Sequence, residues 1–236
     1  MSSLMRITTV GLDADDTLWH NETIFRLTQD RMRALLADVA DHEAFNATLA
    51  SVEKRNLALY GYGVKGFTLS MIETAMDLTG GAPSGRIIAD ILAAGREMLG
   101  HPVEPLPGVD DALAELAEGY RLVLITKGDL LHQEQKLAAS GLGDLFAAVE
   151  IVSEKDASTY ERIFARHGTG AAEAVMCGNS LRSDILPALD AGSYAAQVPY
   201  PLTWAHEVAD TPSGHPRFAE LSSISDLPAW VRSLQV

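Results

Sequence analysis

The sequence has little cysteine and little positive charge for its length. Its 236 residues include a single cysteine, Cys177, which cannot form a disulfide within the chain. That composition is typical of a reducing compartment, so we expect a cytoplasmic protein. Lysine and arginine together number 18 against 32 aspartates and glutamates, which gives a net charge of −14. This excess of negative charge argues against nucleic-acid backbones and anionic membranes as partners.

Long apolar runs and several common motifs are also missing. No run approaches the roughly 18 to 20 apolar residues that a membrane-spanning helix needs. The first residues, MSSLMRITTVGLDADD, lack the layout of a signal peptide, because a short apolar stretch leads directly into acidic residues. The histidines show no HExxH, HxH or Cys/His spacing, and no GxSxG occurs, so neither a zinc site nor a serine hydrolase is indicated. We therefore predict a soluble globular protein.

Short apolar runs bounded by polar turns predict buried parallel strands. They lie at 7–12, 121–125, 149–152, 174–176 and 193–198. Helical patterns alternate with the later runs, at 109–118, 130–139, 157–167 and 184–191, and the tail ending in DLPAWVRSL predicts a last packed helix. This alternation is typical of an α/β fold with a doubly wound parallel sheet.

The segment 20–101 differs from the rest because it is helical in pattern almost throughout. We interpret it as an inserted α-helical domain, with a core domain formed by 1–19 and 102–236. Its GYGVKG at 61–66 matches the dinucleotide-binding fingerprint, but that motif needs a strand before it, and SVEKRNLALY has a helical pattern. The loop is better explained as a helix connection, either exposed to solvent or contributing Tyr62 and Lys65 to substrate binding.

Polar side chains follow the predicted strands, where open α/β sheets bind ligands. GLDADDTLW at 11–19 places Asp13 and Asp15 on one face of an extended segment, whereas Asp16 is one residue off that face and fits a turn or capping role. Clustered carboxylates repel one another, and a divalent cation such as Mg²⁺ would relieve this. From the residues alone, an acidic turn, a metal site and a nucleophile with its own acid all remain open.

The polar strand ends together resemble the four motifs of the haloacid dehalogenase superfamily, in the same order along the chain. The resemblance rests on DADDTL at 13–18, Thr126 at a strand end, Lys155 in EKD, and GNSLRSD at 178–184. It implies a Rossmann-like core with a helical cap at 20–101. It also implies a Mg²⁺-dependent phosphatase that acts on a small phosphorylated metabolite.

The resemblance also assigns roles to individual residues. Asp13 would be the nucleophile that forms an aspartyl-phosphate, and Asp15 the general acid and base. Thr126, Lys127 and Lys155 would bind the phosphoryl group, with Lys155 offsetting its charge. A dehalogenase would not be expected to carry Asp15, because displacing halide from carbon needs no protonated leaving oxygen.

The metal ligands that the resemblance implies include one departure from the family pattern. Asp13, the backbone carbonyl of Asp15 and Asp184 would hold Mg²⁺, but Asn179 stands where the family most often has aspartate. An amide oxygen can still coordinate Mg²⁺, so Asn179 and Asp184 both remain candidates for the inner-sphere ligand.

Two alternative functions remain at the level of sequence. A phospho-accepting module of the response-regulator receiver type also places acids, a Thr or Ser and a Lys at strand ends, although receivers are roughly half this length. A phosphomutase of the same superfamily is the other alternative. The substrate and the oligomeric state cannot be predicted from the residues.

Overall fold

A computed structural model describes residues 6–234 of the chain. Six parallel strands form one sheet in the order β3-β2-β1-β4-β5-β6. The strands are β1 (Thr9–Leu12), β2 (Arg121–Lys127), β3 (Ala148–Val152), β4 (Ala174–Gly178), β5 (Tyr194–Gln197) and β6 (Phe218–Glu220). The predicted α/β fold with a doubly wound parallel sheet is thereby confirmed.

The central strands of the sheet are apolar throughout, and helices cover both of its faces. Side chains alternate between faces along a strand, so Leu122 and Leu124 enter one hydrophobic cluster while Val123 and Ile125 enter the other. These faces are covered by the helices α5 (Val109–Ala117), α6 (Leu130–Ser140), α7 (Ala157–His167), α8 (Leu186–Asp190) and α9 (Leu227–Ser233). The sheet is therefore buried on both sides, as parallel sheets generally are.

Two details of the core depart from the sequence pattern. The helix predicted from residue 184 is preceded by a π-helical turn, Leu181–Ile185, and its regular part begins at Leu186. Strand β6, which pairs in parallel with β5, was not predicted, because its three residues give too little periodicity to detect.

The chain divides into two compact units. The first comprises the residues up to Glu22, Val103–Lys127 and those from Gln133 onward, and the second comprises Thr23–Pro102 with Gly128–His132. The second unit contains the helices α1 (Glu22–Leu35, from its second residue), α2 (His42–Tyr60), α3 (Val64–Leu78) and α4 (Gly85–Leu99). These helices share a hydrophobic cluster of their own.

Helix α2 occupies the position in which the dinucleotide-binding fingerprint needs a strand. The helix is capped by Asp41, whose side chain accepts a hydrogen bond from Ala44 N at 2.8 Å, and it ends at Tyr60. A helix, not a strand, therefore precedes GYGVKG, and α3 begins within the motif at Val64. Among the helices of residues 6–234, none is long and apolar enough to cross a membrane.

Candidate active site

The polar residues singled out in the core lie at the carboxyl ends of adjacent strands. Asp13 directly follows β1, Thr126 and Lys127 end β2, and Asn179 directly follows β4. Since all strands of the sheet are parallel, these ends lie at one edge of the sheet. The topology thus brings together side chains that are more than 150 residues apart in sequence.

A buried lysine joins two aspartates at the centre of this site. Lys155 Nζ lies 2.5 Å from Asp13 Oδ1 and 2.7 Å from Asp184 Oδ1. The side chains of the three residues are 2%, 9% and 1% exposed, in the order Lys155, Asp13, Asp184. Two buried carboxylates therefore share one ammonium, and the array carries a net negative charge when both are ionised.

Asp184 can lie close to the end of β4 because Gly178 has no side chain. A Cβ atom at Gly178 would lie 2.6 Å from Asp184 Cβ and closer still to its carboxylate. Ser180 N donates a hydrogen bond to Asp184 Oδ2 at 2.9 Å. The π-helical turn and this glycine together direct the Asp184 carboxylate toward Lys155.

Thr17 links the first and fourth motifs. Its Oγ1 lies 3.0 Å from Asp13 Oδ2 and 3.3 Å from Asn179 Oδ1, and it accepts a hydrogen bond from Asn179 N at 3.0 Å. With Lys155 on Oδ1 and Thr17 on Oδ2, both carboxylate oxygens of Asp13 have a donor. The orientation of Asp13 is therefore fixed from two sides.

Burial and charge set the pKa values of the central array. Burial and the neighbouring Asp13 raise the pKa of Asp184 to about 7, against the lowering effect of Lys155. Burial acts to lower the pKa of Lys155, but the charges of Asp13 and Asp184 outweigh it and raise that pKa well above its usual value. Lys155 is thus a permanent cation, whereas Asp184 gains a proton readily unless another cation approaches it.

The donor set around the array fits a hard divalent cation. Asp13 and Asp184 offer carboxylate oxygens, Asn179 an amide oxygen, and Asp15 a backbone carbonyl. Oxygen donors of these kinds are what Mg²⁺ binds. Within residues 6–234, no group of three or more His, Cys, Asp or Glu side chains could hold a metal ion, so a site here would depend on the amide and the carbonyl.

The second aspartate of the first motif has hydrogen-bond donors on both of its oxygens. Asp15 Oδ1 accepts from Lys136 Nζ at 2.5 Å and from Trp19 Nε1 at 2.7 Å, while Oδ2 accepts from Gln133 Nε2 at 3.1 Å. Burial would raise the pKa of Asp15, but the Lys136 charge and these hydrogen bonds outweigh it and lower that pKa. The ionised carboxylate, which is the form able to take a proton from water, is therefore favoured.

Gln133 connects Asp15 to the second motif. Its Nε2 also lies 2.8 Å from Thr126 Oγ1 and 2.7 Å from the Lys127 carbonyl oxygen, so its two N–H groups are shared among three acceptors. Within residues 6–234, its Oε1 is one of two buried side-chain nitrogen or oxygen atoms without a hydrogen-bond partner. Burying such an unpaired acceptor costs about 1–3 kcal/mol, so the site retains Gln133 in this orientation at the expense of stability.

Asp16 has the structural role that its position off the shared face predicted. Its φ of 62° is in the left-handed region, which aspartate tolerates better than most residues. Its carboxylate accepts hydrogen bonds from Asn21 N at 2.8 Å and Glu22 N at 3.0 Å, at the start of α1. Burial raises the pKa of Asp16 to about 7, although these backbone donors favour the charged form.

Lys127 is bound in a second polar network that the sequence did not reveal. Lys127 Nζ lies 2.8 Å from both Glu207 Oε1 and Ser183 Oγ. Glu207 Oε2 accepts from Ser180 Oγ at 2.5 Å and also from Ser183 Oγ. Glu207, in the segment after β5, is therefore tied to the ends of β2 and β4.

Two candidate substrate-binding residues, Tyr62 and Lys65, lie in the second unit. Lys65 Nζ is 2.9 Å from both carboxylate oxygens of Asp129, which belongs to the same unit. The contribution of Tyr62 and Lys65 to substrate binding stays a prediction.

The comparisons with known proteins agree on one family. The model of the haloacid dehalogenase-like hydrolase family matches residues 7–192. A crystal structure of a haloacid dehalogenase-like family hydrolase from Xanthomonas campestris is 44% identical, with a TM-score of 0.88, and the match covers 100% of this chain and 94% of that one.

Two curated relatives match over shorter stretches. Glyceraldehyde 3-phosphate phosphatase of Methanothermobacter thermautotrophicus is 34% identical over 109 residues, which cover 44% of this chain and 48% of the relative. N-acylneuraminate-9-phosphatase of Rattus norvegicus is 30% identical over 130 residues, which cover 52% and 50%. The chain therefore spans about half the length of the curated relatives that it matches.

Proposed function

Because the chain belongs to the haloacid dehalogenase-like hydrolase family, we propose that it is a phosphatase acting through an aspartyl-phosphate on Asp13. The observation that carries the proposal is the buried array of Asp13, Lys155 and Asp184, with Asp15 two residues from Asp13. A fixed nucleophile, a permanent cation and a separate acid are what this chemistry requires.

The names of the curated relatives support a small phosphorylated metabolite as the substrate. Both relatives are named as phosphatases, one for glyceraldehyde 3-phosphate and one for N-acylneuraminate 9-phosphate. The two substrates differ, so we propose the class and no individual compound. A cytoplasmic location, expected from the single cysteine, belongs to the same proposal.

In the proposed first step, an oxygen of Asp13 attacks phosphorus while the bond from phosphorus to the substrate oxygen breaks. Lys155, 2.5 Å from Asp13 Oδ1, offsets the charge on the nucleophile and on the transferred group. Thr126, buried at the end of β2, would donate to a phosphoryl oxygen. The lowered pKa leaves Asp15 mostly ionised, so this step uses the fraction of the protein in which Asp15 is protonated: that proton passes to the leaving oxygen, and an alcohol departs.

In the proposed second step, water attacks the phosphorus of the aspartyl-phosphate and the bond to Asp13 breaks. Asp15, now ionised, takes the proton of that water. Each turnover therefore restores the proton that Asp15 gave in the first step. Inorganic phosphate leaves, and Asp13 is free again.

Mg²⁺ fits the oxygen donors of the site and is part of the proposal. Asp13, Asp184, Asn179 and the backbone carbonyl of Asp15 would hold it. Bound there, it would neutralise charge on the phosphoryl oxygens and on the clustered carboxylates. Its affinity is expected to depend on Asp184, because burial and Asp13 make this carboxylate costly to ionise without a further cation.

The test is phosphate release by the purified full chain from 4-nitrophenyl phosphate, with and without added Mg²⁺. Wild type is expected to turn over only with the metal. Asp13→Asn is expected to lose at least about 1,000-fold in kcat, because its amide cannot form the covalent intermediate. The matched control is Asp110→Asn, which changes an exposed aspartate on α5 and is expected to leave kcat unchanged.

Three results would contradict the proposal. One is undiminished turnover by Asp13→Asn, and another is release of halide from 2-chloropropionate by the wild-type chain. The third is a phosphorylated form that persists for hours after mixing with substrate, since such a lifetime fits a signalling module and not a phosphatase.

A further inference from the structure

Three donors from outside the four motifs surround the Asp15 carboxylate. Lys136 and Trp19 both donate to Oδ1, and Gln133 donates to Oδ2, at 2.5, 2.7 and 3.1 Å respectively. The side chain of Lys136 is 11% exposed and that of Asp15 is 25% exposed. We call Lys136, Trp19 and Gln133 the Asp15 clamp. Their contacts leave Asp15 little freedom to change rotamer.

Each member of the clamp is itself fixed by the fold. Gln133 and Lys136 are three residues apart on α6, so both lie on the face that the helix turns to the sheet edge. Trp19 is 1% exposed and packs in the hydrophobic cluster that includes β1. Lys136 Nζ also lies 3.2 Å from Asn21 Oδ1.

The clamp matters because an acid that serves a leaving oxygen must be placed accurately. Catalytic geometry tolerates errors of roughly half an ångström, and an unrestrained aspartate samples several rotamers. A charged donor at 2.5 Å with an indole N–H on the same oxygen restrains both the position and the direction of the carboxylate.

We propose that Lys136 is a positioning residue for Asp15, with Trp19 and Gln133 as its partners, and that it matters most for substrates with strongly basic leaving groups. This rests on the proposed function, in which Asp15 gives its proton to the leaving oxygen as the bond to phosphorus breaks. Lys136 touches no substrate.

The expected consequence is that the effect of losing Lys136 depends on the leaving group of the substrate. A weakly basic group such as 2,4-dinitrophenolate departs without protonation, whereas phenolate needs the proton of Asp15. A misplaced Asp15 should therefore slow the hydrolysis of phenyl phosphate far more than that of 2,4-dinitrophenyl phosphate. General loss of structure would slow both substrates equally.

The experiment measures kcat/KM for both substrates with wild type, Lys136→Met, Lys136→Arg and the exposed control Lys54→Met. This parameter reports the steps up to phosphoryl transfer, so it isolates the acid role of Asp15. For Lys136→Met we expect a loss of about 10- to 100-fold on phenyl phosphate and less than about 3-fold on 2,4-dinitrophenyl phosphate. Lys136→Arg should recover part of the loss, and Lys54→Met should match wild type.

Equal losses on both substrates, or none on either, would overturn the role of Lys136. Should Lys136→Met fail to fold by circular dichroism, Trp19→Phe removes one donor and keeps an aromatic ring, and the same selective loss is expected. Absence of turnover by wild type on both substrates would overturn the proposed function, and this role with it. Wild-type turnover with an unselective Lys136→Met would overturn the role alone.

Discussion

At the scale of single residues, the ion pair of Glu207 with Lys127 leads to a prediction that a stability measurement can test without an activity assay. Burial would raise the pKa of Glu207, but the Lys127 charge and the hydrogen bonds from Ser180 and Ser183 outweigh it and lower that pKa. The ionised form therefore stabilises the fold above the ordinary pKa of 4.5, and this is lost as pH falls through the lowered value. Glu207→Gln is expected to lower the free energy of unfolding by about 1–3 kcal/mol at pH 7, measured by urea denaturation.

The pH dependence distinguishes this effect from simple loss of packing. Below the lowered pKa, Glu207 is protonated in the folded and unfolded states alike, so the difference between wild type and Glu207→Gln should shrink as the pH falls below about 4.5. A difference that stays constant down to pH 3.5 would contradict the ion pair as its source. Glu118→Gln, at an exposed position after α5, is the matched control and should show no difference at any pH.

The sequence revealed the site residues that follow a predicted strand and missed those that lie elsewhere in the chain. Asp13, Thr126 and Lys155 each follow a short apolar run, so the topology of a parallel sheet was enough to predict that they lie near one another. Lys136 lies within a helix whose polar residues look solvent-exposed, and Glu207 lies in an irregular segment after β5. Their oppositely charged partners, Asp15 and Lys127, are at least 80 residues away, and no local pattern encodes such contacts.

At the scale of elements, the end of β4 depends on Gly178. The close approach of Asp184 leaves no room for a Cβ atom there, since this atom would lie 2.6 Å from Asp184 Cβ. Gly178→Ala is therefore expected to displace Asp184 from Lys155 and to cost about 1–3 kcal/mol of stability. Thermal unfolding should also show a smaller Mg²⁺-induced rise in Tm than in wild type, because a metal ligand has moved.

Gly119→Ala provides the comparison for this prediction. A Cβ atom at Gly119 meets nothing within 4 Å, so the variant should keep both the stability and the Mg²⁺-induced shift of wild type. If Gly178→Ala unfolded at the wild-type temperature with a full Mg²⁺ response, the glycine would not be what positions Asp184.

The sequence-based prediction missed the elements that lack a regular spacing of apolar residues. Strands β1 to β5 and helices α5 to α7 were predicted because each has several apolar residues at a regular spacing. Strand β6 has only three residues, and the π-helical turn Leu181–Ile185 has a spacing for which no sequence pattern is diagnostic. That turn brings Asp184 toward Lys155, so the least predictable element is also one that the site needs.

At the scale of the whole molecule, the net charge of −14 conceals a local concentration of cations. Three of the five lysines in the sequence, Lys127, Lys136 and Lys155, lie in the candidate site, and each is paired with a carboxylate. Acidic composition alone would suggest a poor receptor for anions, yet these cations are concentrated at the candidate site, where Lys155 is proposed to offset the charge of a phosphoryl group. Composition therefore excludes polyanionic partners more firmly than it excludes a small anionic substrate.

The division of the hydrophobic residues predicts that the first unit folds without the inserted helices. The clusters on the two faces of the sheet lie entirely in the first unit, and the third cluster lies entirely in the second. The chain also leaves and re-enters the first unit at adjacent positions, because His20 N donates to Glu104 O at 3.3 Å and Leu106 N to Leu18 O at 2.8 Å. A short linker can therefore replace Thr23–Pro102.

Replacing Thr23–Pro102 with a linker of a few glycines and serines is expected to leave one cooperative unfolding transition. The urea m-value should fall by about a third, in line with the share of the chain removed. The exposed ion pair of Lys65 with Asp129 is lost, at a cost of about 0–1 kcal/mol. Near-ultraviolet circular dichroism should persist, since Trp19 keeps its packing partners in the first unit. A broad transition without a near-ultraviolet signal would show that the sheet needs the inserted helices to fold.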